Sequence, residues 1–415
     1  MAKDIVLENC SIIDVNNAQP SEPCNIVIQG GKIIDITREG FQDTSFEKVD
    51  LSGNFLLPGL IDNHVHLTAA QFDLADAHLP DTYIAIQAKE YMENMLQRGF
   101  TSIRDAGGAG YGLVLAQEKG LINGPRLFLS GKALSQTGGH GDFFPRNKPF
   151  ESCFCRFGGS SISIIADGVS SVRKAAREQF RKGASQIKIM ASGGVASPTD
   201  NVNNVQFSED EIRAIVDEAN HANSYVMAHA YAPAAIKRCV LNGVRTIEHG
   251  NLLDRETAKL MHEHNAYLVP TMVIYHAIES IGKSQGFPEE SLAKLSQVIE
   301  SALQSVEIAR SEKVKIGFGT DLLGPKAHLM QGEEFIIRSK GVESAHDIIC
   351  SATSVNAEII QHSGTLGIIQ KNAIADLIAL DSNPLDDIAV LSGQGEHLSL
   401  IMKEGALIKN TLGPA

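Results

Sequence analysis

The sequence predicts an α/β fold, a closed (β/α)8 TIM barrel with a small composite β-sandwich domain formed by both termini. First, eight short apolar segments alternate with helical patterns over about 300 residues in the middle of the chain. Second, both ends consist of short alternating segments separated by Gly, Asn and Asp, which is typical of β structure. Third, 415 residues accommodate a barrel of about 250 residues and an accessory domain.

The terminal segments predict one domain assembled from two separate parts of the chain. At the start, "DIVLENCSIIDV" and "CNIVIQGGKIIDI" alternate apolar and polar residues, and near the end "LSLIMKEGALIKN" does the same. We therefore expect residues 1–57 and 364–415 to form the composite β domain, and residues 58–363 to form the barrel.

The middle of the chain offers eight strand candidates separated by helical patterns. An open, doubly wound sheet is the alternative to a barrel. Such a sheet usually carries a Gly-x-Gly-x-x-Gly turn after its first strand, and none follows the first candidate here. In chain order the candidates are "LLPGLIDNHVHL", "TSIRDAGG", "PRLFLSGKAL", "SQIKIMASGG", "SYVMAHAYA", "VRTIEHGNLL", "AYLVPTMVI" and "VKIGFGTDLLGP".

The composition limits the possible partners and compartment. The formal charge is −13, from 36 basic and 49 acidic residues, and the chain has no Lys/Arg-rich block. This argues against nucleic acid or an anionic membrane as the main partner. The six scattered cysteines include no Cys-x-x-Cys pair, so we interpret them as reduced thiols. With no apolar signal core at the N-terminus, we expect a cytoplasmic protein.

The first strand candidate ends on two histidines, His64 and His66, with only Val65 between them. Because side chains alternate faces along a strand, both imidazoles point the same way, above Asp62. Two imidazoles on one interior face suit a metal ion better than a packed core. A solvated loop that happens to contain two histidines is the alternative.

Four further strand candidates carry a polar residue at or near the carboxyl end, the rim where barrel enzymes keep their chemistry. Any one of these could be a polar residue satisfied within the core. Five strands that each end on His, Lys or Asp together indicate a metal-assisted catalytic site. Beyond the first strand, the residues are Lys188 in the fourth candidate, His229 and Tyr231 in the fifth, His249 in the sixth and Asp321 in the eighth.

This constellation resembles the binuclear-metal subtype of the amidohydrolase superfamily. The segments "GLIDNHVH", "IKIMASGG", "IEHG" and "GTD" are most similar to the prolidase-like dipeptidase branch. The resemblance covers nearly the whole chain and includes "IADLIALDSNPL", which is similar to the family's C-terminal hairpin. Asn372 stands where the family usually has Gly in that hairpin, and Asn tolerates a left-handed turn.

The resemblance implies two divalent metal ions, and the imidazole-rich ligand set favours zinc. Lys188 would capture CO₂ as an anionic carbamate that bridges both ions, because a lysine ammonium is a poor ligand. The ions would share a hydroxide as the nucleophile. Asp321 would take its proton and deliver it to the leaving nitrogen. The other protein ligands would be His64, His66 and Asp321 on the more buried ion, and His229 and His249 on the more exposed one.

Two residues at the same rim are candidates for substrate binding. His140 lies on the Gly-rich loop "SQTGGHGDFF" after the third strand, where it could contact the substrate carbonyl or carboxylate. Tyr231 lies two residues beyond His229, and its phenol could donate to a substrate carboxylate. An exposed loop histidine and an aromatic wall residue are the respective alternatives.

Two further segments have both structural and functional interpretations. The polar loop Ser192–Glu211 could cover the mouth of the barrel as a mobile flap. Its last residues predict a helix start, because Ser208 followed by Glu211 forms a capping box. Arg104 could meet a substrate carboxylate, although pairing with Asp105 or another neighbour is the simpler interpretation.

The predicted function is hydrolysis of the amide bond in dipeptides with a free C-terminal carboxylate, with Xaa-Pro dipeptides as the expected substrates. N-acyl-amino-acid or cyclic amide hydrolysis by the same binuclear site is the alternative. Deaminase and imidazolonepropionase-like branches resemble the fold, but they typically use one metal ion and lack the lysine that Lys188 supplies here. A non-catalytic scaffold would be expected to have lost ligands, and all six positions are filled. The resemblance also implies a homo-oligomer.

Overall fold

The structure, a computed structural model, describes residues 4–72, 79–143, 162–197, 200–285, 287 and 289–412. Cys153 and Cys155 lie outside these residues, and the four cysteines within them are free thiols. The described strands are β1 (Ile5–Ile12), β2 (Cys24–Gln29), β3 (Lys32–Thr37), β4 (Glu47–Asp50), β5 (Phe55–Pro58), β6 (Leu60–Val65), β7 (Phe100–Asp105), β8 (Arg126–Leu129), β9 (Ala133–Ser135), β10 (Ser163–Ile165), β11 (Ile187–Met190), β12 (Val226–Ala230), β13 (Thr246–His249), β14 (Tyr267–Val269), β15 (Lys315–Ile316), β16 (Leu377–Leu380), β17 (Leu398–Lys403) and β18 (Ala406–Asn410).

Helices separate the strands of the middle region. Short π-helical turns occupy Ile278–Gly282 and Ser351–Val355, and 3₁₀ turns occupy Lys283–Gln285 and Ile388–Leu391. Among the described residues, no helix is both long and apolar enough to cross a membrane. The α-helices are α1 (Asp81–Gln97), α2 (Tyr111–Glu118), α3 (Val169–Arg181), α4 (Glu209–His221), α5 (Pro233–Leu241), α6 (Arg255–Glu263), α7 (Met272–Ala277), α8 (Glu289–Ser311), α9 (Gly324–His328), α10 (Glu333–Ser339), α11 (Ala345–Cys350) and α12 (Asn356–Ile359).

The helical patterns in the sequence form helices where they were predicted. Helix α3 is an example, and its apolar face buries Val172 and Ala176. The capping box before α4 is confirmed. The Ser208 side chain accepts from the backbone N–H of Glu211, and the Glu211 carboxylate accepts from the N–H of Ser208.

Strands from both termini form one eight-stranded sheet in the order β18-β17-β16-β5-β1-β2-β3, with β4 also paired to β1. The register between β1 and β2 shifts between Leu7 and Cys10, and the end of β1 also pairs with β5. Apolar side chains from the two halves share one core, which includes Ile26 and Val49 from one half and Leu377 and Leu400 from the other. The β-sandwich expected from the termini is therefore present.

The middle strands pair in parallel as a barrel, as predicted. Strands β6, β7 and β8 form one run, and β9, β11, β12, β13, β14 and β15 form the other. Two sets of backbone hydrogen bonds join the runs. Ser185 N–H donates to Leu129 O (2.7 Å) on one side, and on the other Asn63 N–H donates to Phe318 O (2.9 Å) and Asp321 N–H donates to His64 O (2.7 Å).

The third strand differs from the single segment expected. Ser130, Gly131 and Lys132 break it into β8, which pairs with β7, and β9, which pairs with β11. Gly131 has φ +66° at the break, a left-handed conformation that glycine adopts without a side-chain clash. A further strand that the pattern did not predict, β10, extends the rim by pairing with β9.

The Asn356 side chain joins β6 to the segment around Phe318 where the barrel closes. Replacement of Asn356 is therefore expected to destabilise the fold. Asn356 Nδ2 donates to Ile61 O (2.7 Å) and Phe318 O (2.8 Å), while Oδ1 accepts from Phe318 N–H (3.0 Å). Replacing Asn356 by Ala leaves these buried groups unsatisfied and should cost about 3 kcal/mol. Urea unfolding measures the loss. The control Asn220→Ala, at an exposed site on α4, should change stability by at most about 0.5 kcal/mol, and equal losses in both variants would contradict this role.

Candidate active site

The first strand brings both of its histidines to the carboxyl end of the barrel. Every residue of β6 is buried, because this strand lies between β7 and the chain around Phe318. Asp62 stays below the site. Its Oδ2 accepts from Thr320 Oγ1 (2.6 Å) and Gln331 Nε2 (2.9 Å), and its Oδ1 accepts from His64 N–H (3.1 Å). Asp62 therefore supports the strand and the segment before Asp321.

His64, His66 and Asp321 converge on one point. The Nε2 atoms of His64 and His66 lie 3.4 Å and 3.2 Å from Asp321 Oδ1, and one ligand atom from each residue lies within 4.8 Å of the others. His64 Nε2 is buried and has no hydrogen-bond partner among the described residues. An orphaned imidazole nitrogen beside a carboxylate fits a divalent cation at this point.

Burial alone would raise the pKa of Asp321, but the nearby His64 and His66 outweigh it and hold the pKa well below its usual value. Asp321 is therefore an ionised carboxylate. Its backbone has φ +57°, an uncommon conformation for a residue with a Cβ, as has His249 with φ +73°. Such strain concentrates at functional sites, and here it falls on two of the predicted ligands.

His229, His249 and Lys188 line the same cavity from three adjacent strands. The ring centroids of His229 and His249 are 4.6 Å apart, and those of His249 and His64 are 4.9 Å apart. Burial lowers the pKa of both His229 and His249 well below the usual value, so both are neutral, the form that binds metals. The three side chains could therefore complete a second ligand set.

Lys188 is buried, with 1% of its surface exposed, and no ion pair of its Nζ is found among the described residues. Burial lowers the pKa of its ammonium to about 8. A substantial fraction of the amine is then neutral near physiological pH. This is the form that adds CO₂.

One ring nitrogen of each candidate histidine ligand forms a hydrogen bond with another group of the protein. Such contacts fix the tautomer and the orientation of a metal-binding imidazole. His64, His66 and His249 engage Nδ1 and leave Nε2 for the cavity, whereas His229 engages Nε2. The partners are Glu248 for His64 (2.7 Å), Gly107 O for His66 (3.0 Å), Thr271 Oγ1 for His249 (2.7 Å) and Gly193 O for His229 (3.2 Å).

Glu248 is the functional residue that the sequence analysis missed. Its carboxylate accepts from His64 Nδ1–H. Arg104 Nη2 donates to both carboxylate oxygens, Oε1 at 2.9 Å and Oε2 at 3.0 Å. Arg104 thus pairs with Glu248, a neighbour in the fold, rather than with Asp105, and its side chain has no exposed surface. Strict alternation along β13 would place Glu248 and His249 on opposite faces, but the left-handed backbone at His249 ends the alternation. The only signal in the sequence was the "IEHG" segment itself.

The two predicted substrate-binding residues border this ligand cluster. His140 stacks on His229 with the ring centroids 4.2 Å apart, and its Nδ1 lies 3.7 Å from an Asp200 carboxylate oxygen. Gly194 packs against His140 so closely that a Cβ there would lie 2.3 Å from the His140 ring. Tyr231 stacks on His249 at 5.2 Å. Both side chains line the cavity, beside the predicted ligands.

Tyr275 is a second residue that the sequence analysis did not single out. Its hydroxyl lies 3.0 Å from the Tyr231 hydroxyl and 3.1 Å from Asn251 Oδ1, so three buried polar groups form a chain that ends at the cavity. This chain fixes the Tyr231 phenol. The rest of the cavity wall is mostly apolar and comprises Phe143, Ile162, Met190, Val195, Ala196, Ile274, Ile278 and Leu323.

Several histidines set aside in the sequence lie away from the site. His221, His262 and His264 are exposed on the outer helices, as expected. His328 is buried but stacks on Tyr91 outside the active-site cavity. His78 lies outside the described residues.

With this fold and this site, the chain belongs to the amidohydrolase family, whose model matches residues 55–406. It is therefore a hydrolase, of a family that acts on small molecules. An ochratoxinase of Aspergillus niger is 35% identical over 374 residues, which cover 86% of this chain and 77% of that protein.

Solved structures share the fold over nearly the whole chain. A prolidase complexed with N-methylphosphonate-L-proline is 49% identical, with a TM-score of 0.95, and the match covers 98% of this chain and 100% of that one. A Xaa-Pro dipeptidase with bound methionine in its active site is 31% identical, with a TM-score of 0.87, over 98% of this chain and 100% of that one. The predicted resemblance to a prolidase-like amidohydrolase is thereby confirmed.

The loop Ser192–Glu211, in its described residues, is tied to α8 through Lys294. Lys294 Nζ donates to Gly194 O (3.2 Å) and Ser197 O (2.7 Å), and Ser192 pairs with Val205 in an isolated bridge. Whether this loop moves as a flap stays a prediction.

Removal of this anchor is expected to loosen the loop. In Lys294→Met, the carbonyls of Gly194 and Ser197 lose their cationic donor, and amide hydrogen exchange in the described loop residues should rise at least tenfold. Hydrogen–deuterium exchange read by mass spectrometry checks this. The control Lys259→Met, at an exposed position on α6, should leave exchange of the loop unchanged. Unaltered exchange in Lys294→Met would show that other contacts hold the loop.

Proposed function

We propose that this amidohydrolase cleaves the amide bond of dipeptides with a free C-terminal carboxylate, and that Xaa-Pro dipeptides are its substrates. The observation that carries the proposal is the gathering of all eight predicted site residues around one cavity. The likeness to a prolidase that binds a phosphonate of proline supports the choice of substrate.

We further propose two zinc ions and a carbamate on Lys188. The donor set supports this proposal. Within the part of the chain that the structure describes, His64 Nε2 has no hydrogen-bond partner beside Asp321, and burial keeps His229 and His249 neutral. His64, His66 and Asp321 would hold one ion, and His229 and His249 the other. When bound, two such ions lower the pKa of water and polarise the scissile carbonyl.

Asp321 would handle the proton of the reaction. Its Oδ1 faces the two histidines of the first strand, whereas its Oδ2 lies 3.9 Å from His249 Nδ1. The carboxylate is ionised at neutral pH, so Oδ2 can accept a proton from the attacking water and release it to the leaving nitrogen. An amide nitrogen leaves poorly without such protonation.

His140 and Tyr231 would bind the C-terminal carboxylate of the substrate. Both line the cavity beside the ligand cluster, and the Tyr231–Tyr275–Asn251 chain holds the phenol in place. The apolar wall near them, with Met190 among its residues, suits a proline ring, which has no amide hydrogen to satisfy.

An N-acyl amino acid is the second candidate substrate. Among the described residues that line the cavity, Asp321 is the sole carboxylate. A dipeptide brings an ammonium group that would need an anionic partner, whereas an N-acyl group does not. Whether the enzyme requires a free amine on its substrate therefore distinguishes the two candidates.

A substrate screen tests the proposal. Protein produced with zinc and bicarbonate should hydrolyse Xaa-Pro dipeptides faster than the matched N-acetyl amino acids, measured by amine release. Faster turnover of the N-acetyl set would agree with the proposed site but would identify N-acyl amino acids, and not dipeptides, as the substrates. Hydrolysis of neither set would contradict both candidates.

The bridging role of Lys188 has its own test. Lys188→Ala should lower kcat/KM by at least about a thousandfold, because the ligand shared by both ions is lost. The control Lys259→Ala, at an exposed site, should retain wild-type activity. Full activity in Lys188→Ala would exclude a bridging carbamate.

Glu248 should determine zinc affinity through His64. Glu248→Gln keeps the size of the side chain but weakens the hold on His64 Nδ1–H, and zinc affinity should fall by about ten- to a hundredfold. Chelator competition measures this without reference to activity. Glu358→Gln, at a half-buried position that does not line the cavity, is the matched control and should leave zinc affinity unchanged. Equal zinc affinity in wild type and Glu248→Gln would show that His64 needs no such orientation.

A further inference from the structure

Asp62 joins the two chain segments that carry the predicted ligands His64 and Asp321. Its side chain is fully buried, and Oδ1 accepts from the backbone N–H of His64 (3.1 Å). Its Oδ2 accepts from the hydroxyl of Thr320 (2.6 Å), the residue before Asp321. Because Asp321 has a left-handed backbone, a contact that fixes the preceding residue helps to maintain that strained conformation. The orientation of the Asp62 carboxylate thus affects both predicted ligands.

Gln331, in the turn between α9 and α10, is a third donor to this carboxylate. Its side chain is completely buried, and Nε2 donates to Asp62 Oδ2 (2.9 Å). Its Oε1 accepts from Arg98 Nε (3.0 Å). The donor end of the amide therefore contacts a carboxylate, and the acceptor end contacts a guanidinium. An aliphatic side chain would offer neither contact, and asparagine would be too short to make both.

Arg98 fixes Gln331 from the opposite side and is itself held by the terminal β domain. Burial lowers the pKa of Arg98 to about 10, and the negative charge of Asp62 opposes this decrease, so the guanidinium remains charged at neutral pH. Arg98 Nη1 donates to Gln394 Oε1 (2.8 Å), which belongs to the C-terminal part of the β domain. Gln394 Nε2 donates to Leu329 O (2.8 Å), in the same turn as Gln331. The hydrogen bonds thus run from the β domain to the active site.

We propose that Gln331 is a positioning residue of the active site, which orients the Asp62 carboxylate and thereby holds the backbones of His64 and Asp321. This inference rests on the proposed zinc site. Groups that orient a metal ligand typically change metal affinity by about ten- to a hundredfold when they are replaced. Gln331 differs from Glu248 in its mode of action, because Glu248 contacts the His64 ring, whereas Gln331 acts on the backbone of two ligands.

Hydrogen exchange of the full-length protein tests the positioning role without reference to zinc. In Gln331→Met the Asp62 carboxylate loses a donor, and exchange of residues 60–67 and 318–323 should rise about tenfold relative to the rest of the barrel, read by mass spectrometry. Gln179→Met is the matched control. Gln179 is also a buried glutamine, which accepts from Lys132 N–H (2.9 Å) and donates to Ala175 O (3.3 Å). Its replacement should leave the relative exchange of both segments unchanged.

Zinc affinity gives a readout that a loss of stability alone would not change. Chelator competition should show about tenfold weaker zinc binding in Gln331→Met than in the wild type. Gln179→Met should bind zinc as the wild type does, even though both variants lose buried hydrogen bonds. If Gln331→Met fails to fold, Gln331→Asn decides, because it keeps the amide but cannot reach both Asp62 and Arg98.

The outcomes separate the role of Gln331 from the proposed zinc site. Unchanged relative exchange of both segments in the Gln331 variant would overturn the positioning role, as would wild-type zinc affinity in that variant. Equal losses of zinc affinity in Gln331→Met and Gln179→Met would also overturn it, because they would follow from stability. A wild-type protein that binds no zinc would contradict the proposed metal site, and the exchange comparison would then decide the role of Gln331.

Discussion

The buried ion pair of Arg104 and Glu248 is the interaction on which the active site depends. Neither side chain is exposed, and two charges removed from water are stable only when their remaining hydrogen bonds are satisfied. Here they are, because Arg104 Nε donates to Asn63 O (2.7 Å) and Thr246 Oγ1 donates to Glu248 (2.5 Å). Burial alone would raise the pKa of Glu248, but the charge of Arg104 and the hydrogen bond donated by His64 outweigh it and hold the pKa at about 2. The fixed carboxylate in turn aims His64 at the cavity.

Two of the predicted ligands have strained backbone conformations. His249 and Asp321 both adopt left-handed conformations, each of which costs about 1–3 kcal/mol for such residues. Asp321 N–H donates to His64 O across the closure of the barrel, so the same hydrogen bonds that complete the sheet also support the strained residue. At His249, the break in alternation turns two consecutive side chains inward. One of them reaches the cavity, and the other, Glu248, supports His64.

The proposed substrate side of the site is built differently from the proposed ligand side. The predicted ligands lie on or next to strands of the barrel, whereas His140 and Tyr275 come from a loop and a short helix at the rim. These outer residues are positioned by stacking and by hydrogen bonds among themselves, such as those of Tyr231 and Tyr275. Because rim segments vary more readily than barrel strands, we expect substrate choice to reside there and the chemistry to reside in the proposed ligand cluster.

The sequence by itself determined the barrel, the terminal β domain, the main helices and eight candidate site residues that line one cavity. These follow from local rules: period-two strands, period-3.6 helices, and the convergence of parallel strand ends at one rim. It did not reveal the division of the third strand, the Glu248 contact to His64, or the Tyr275 contact to Tyr231. Glu248 and His64 are 184 residues apart, and strict alternation along β13 cannot turn both Glu248 and His249 inward. Only the tertiary structure decided these features, because they depend on how the barrel closes and on single residues, Gly131 and His249, that leave the regular backbone conformation.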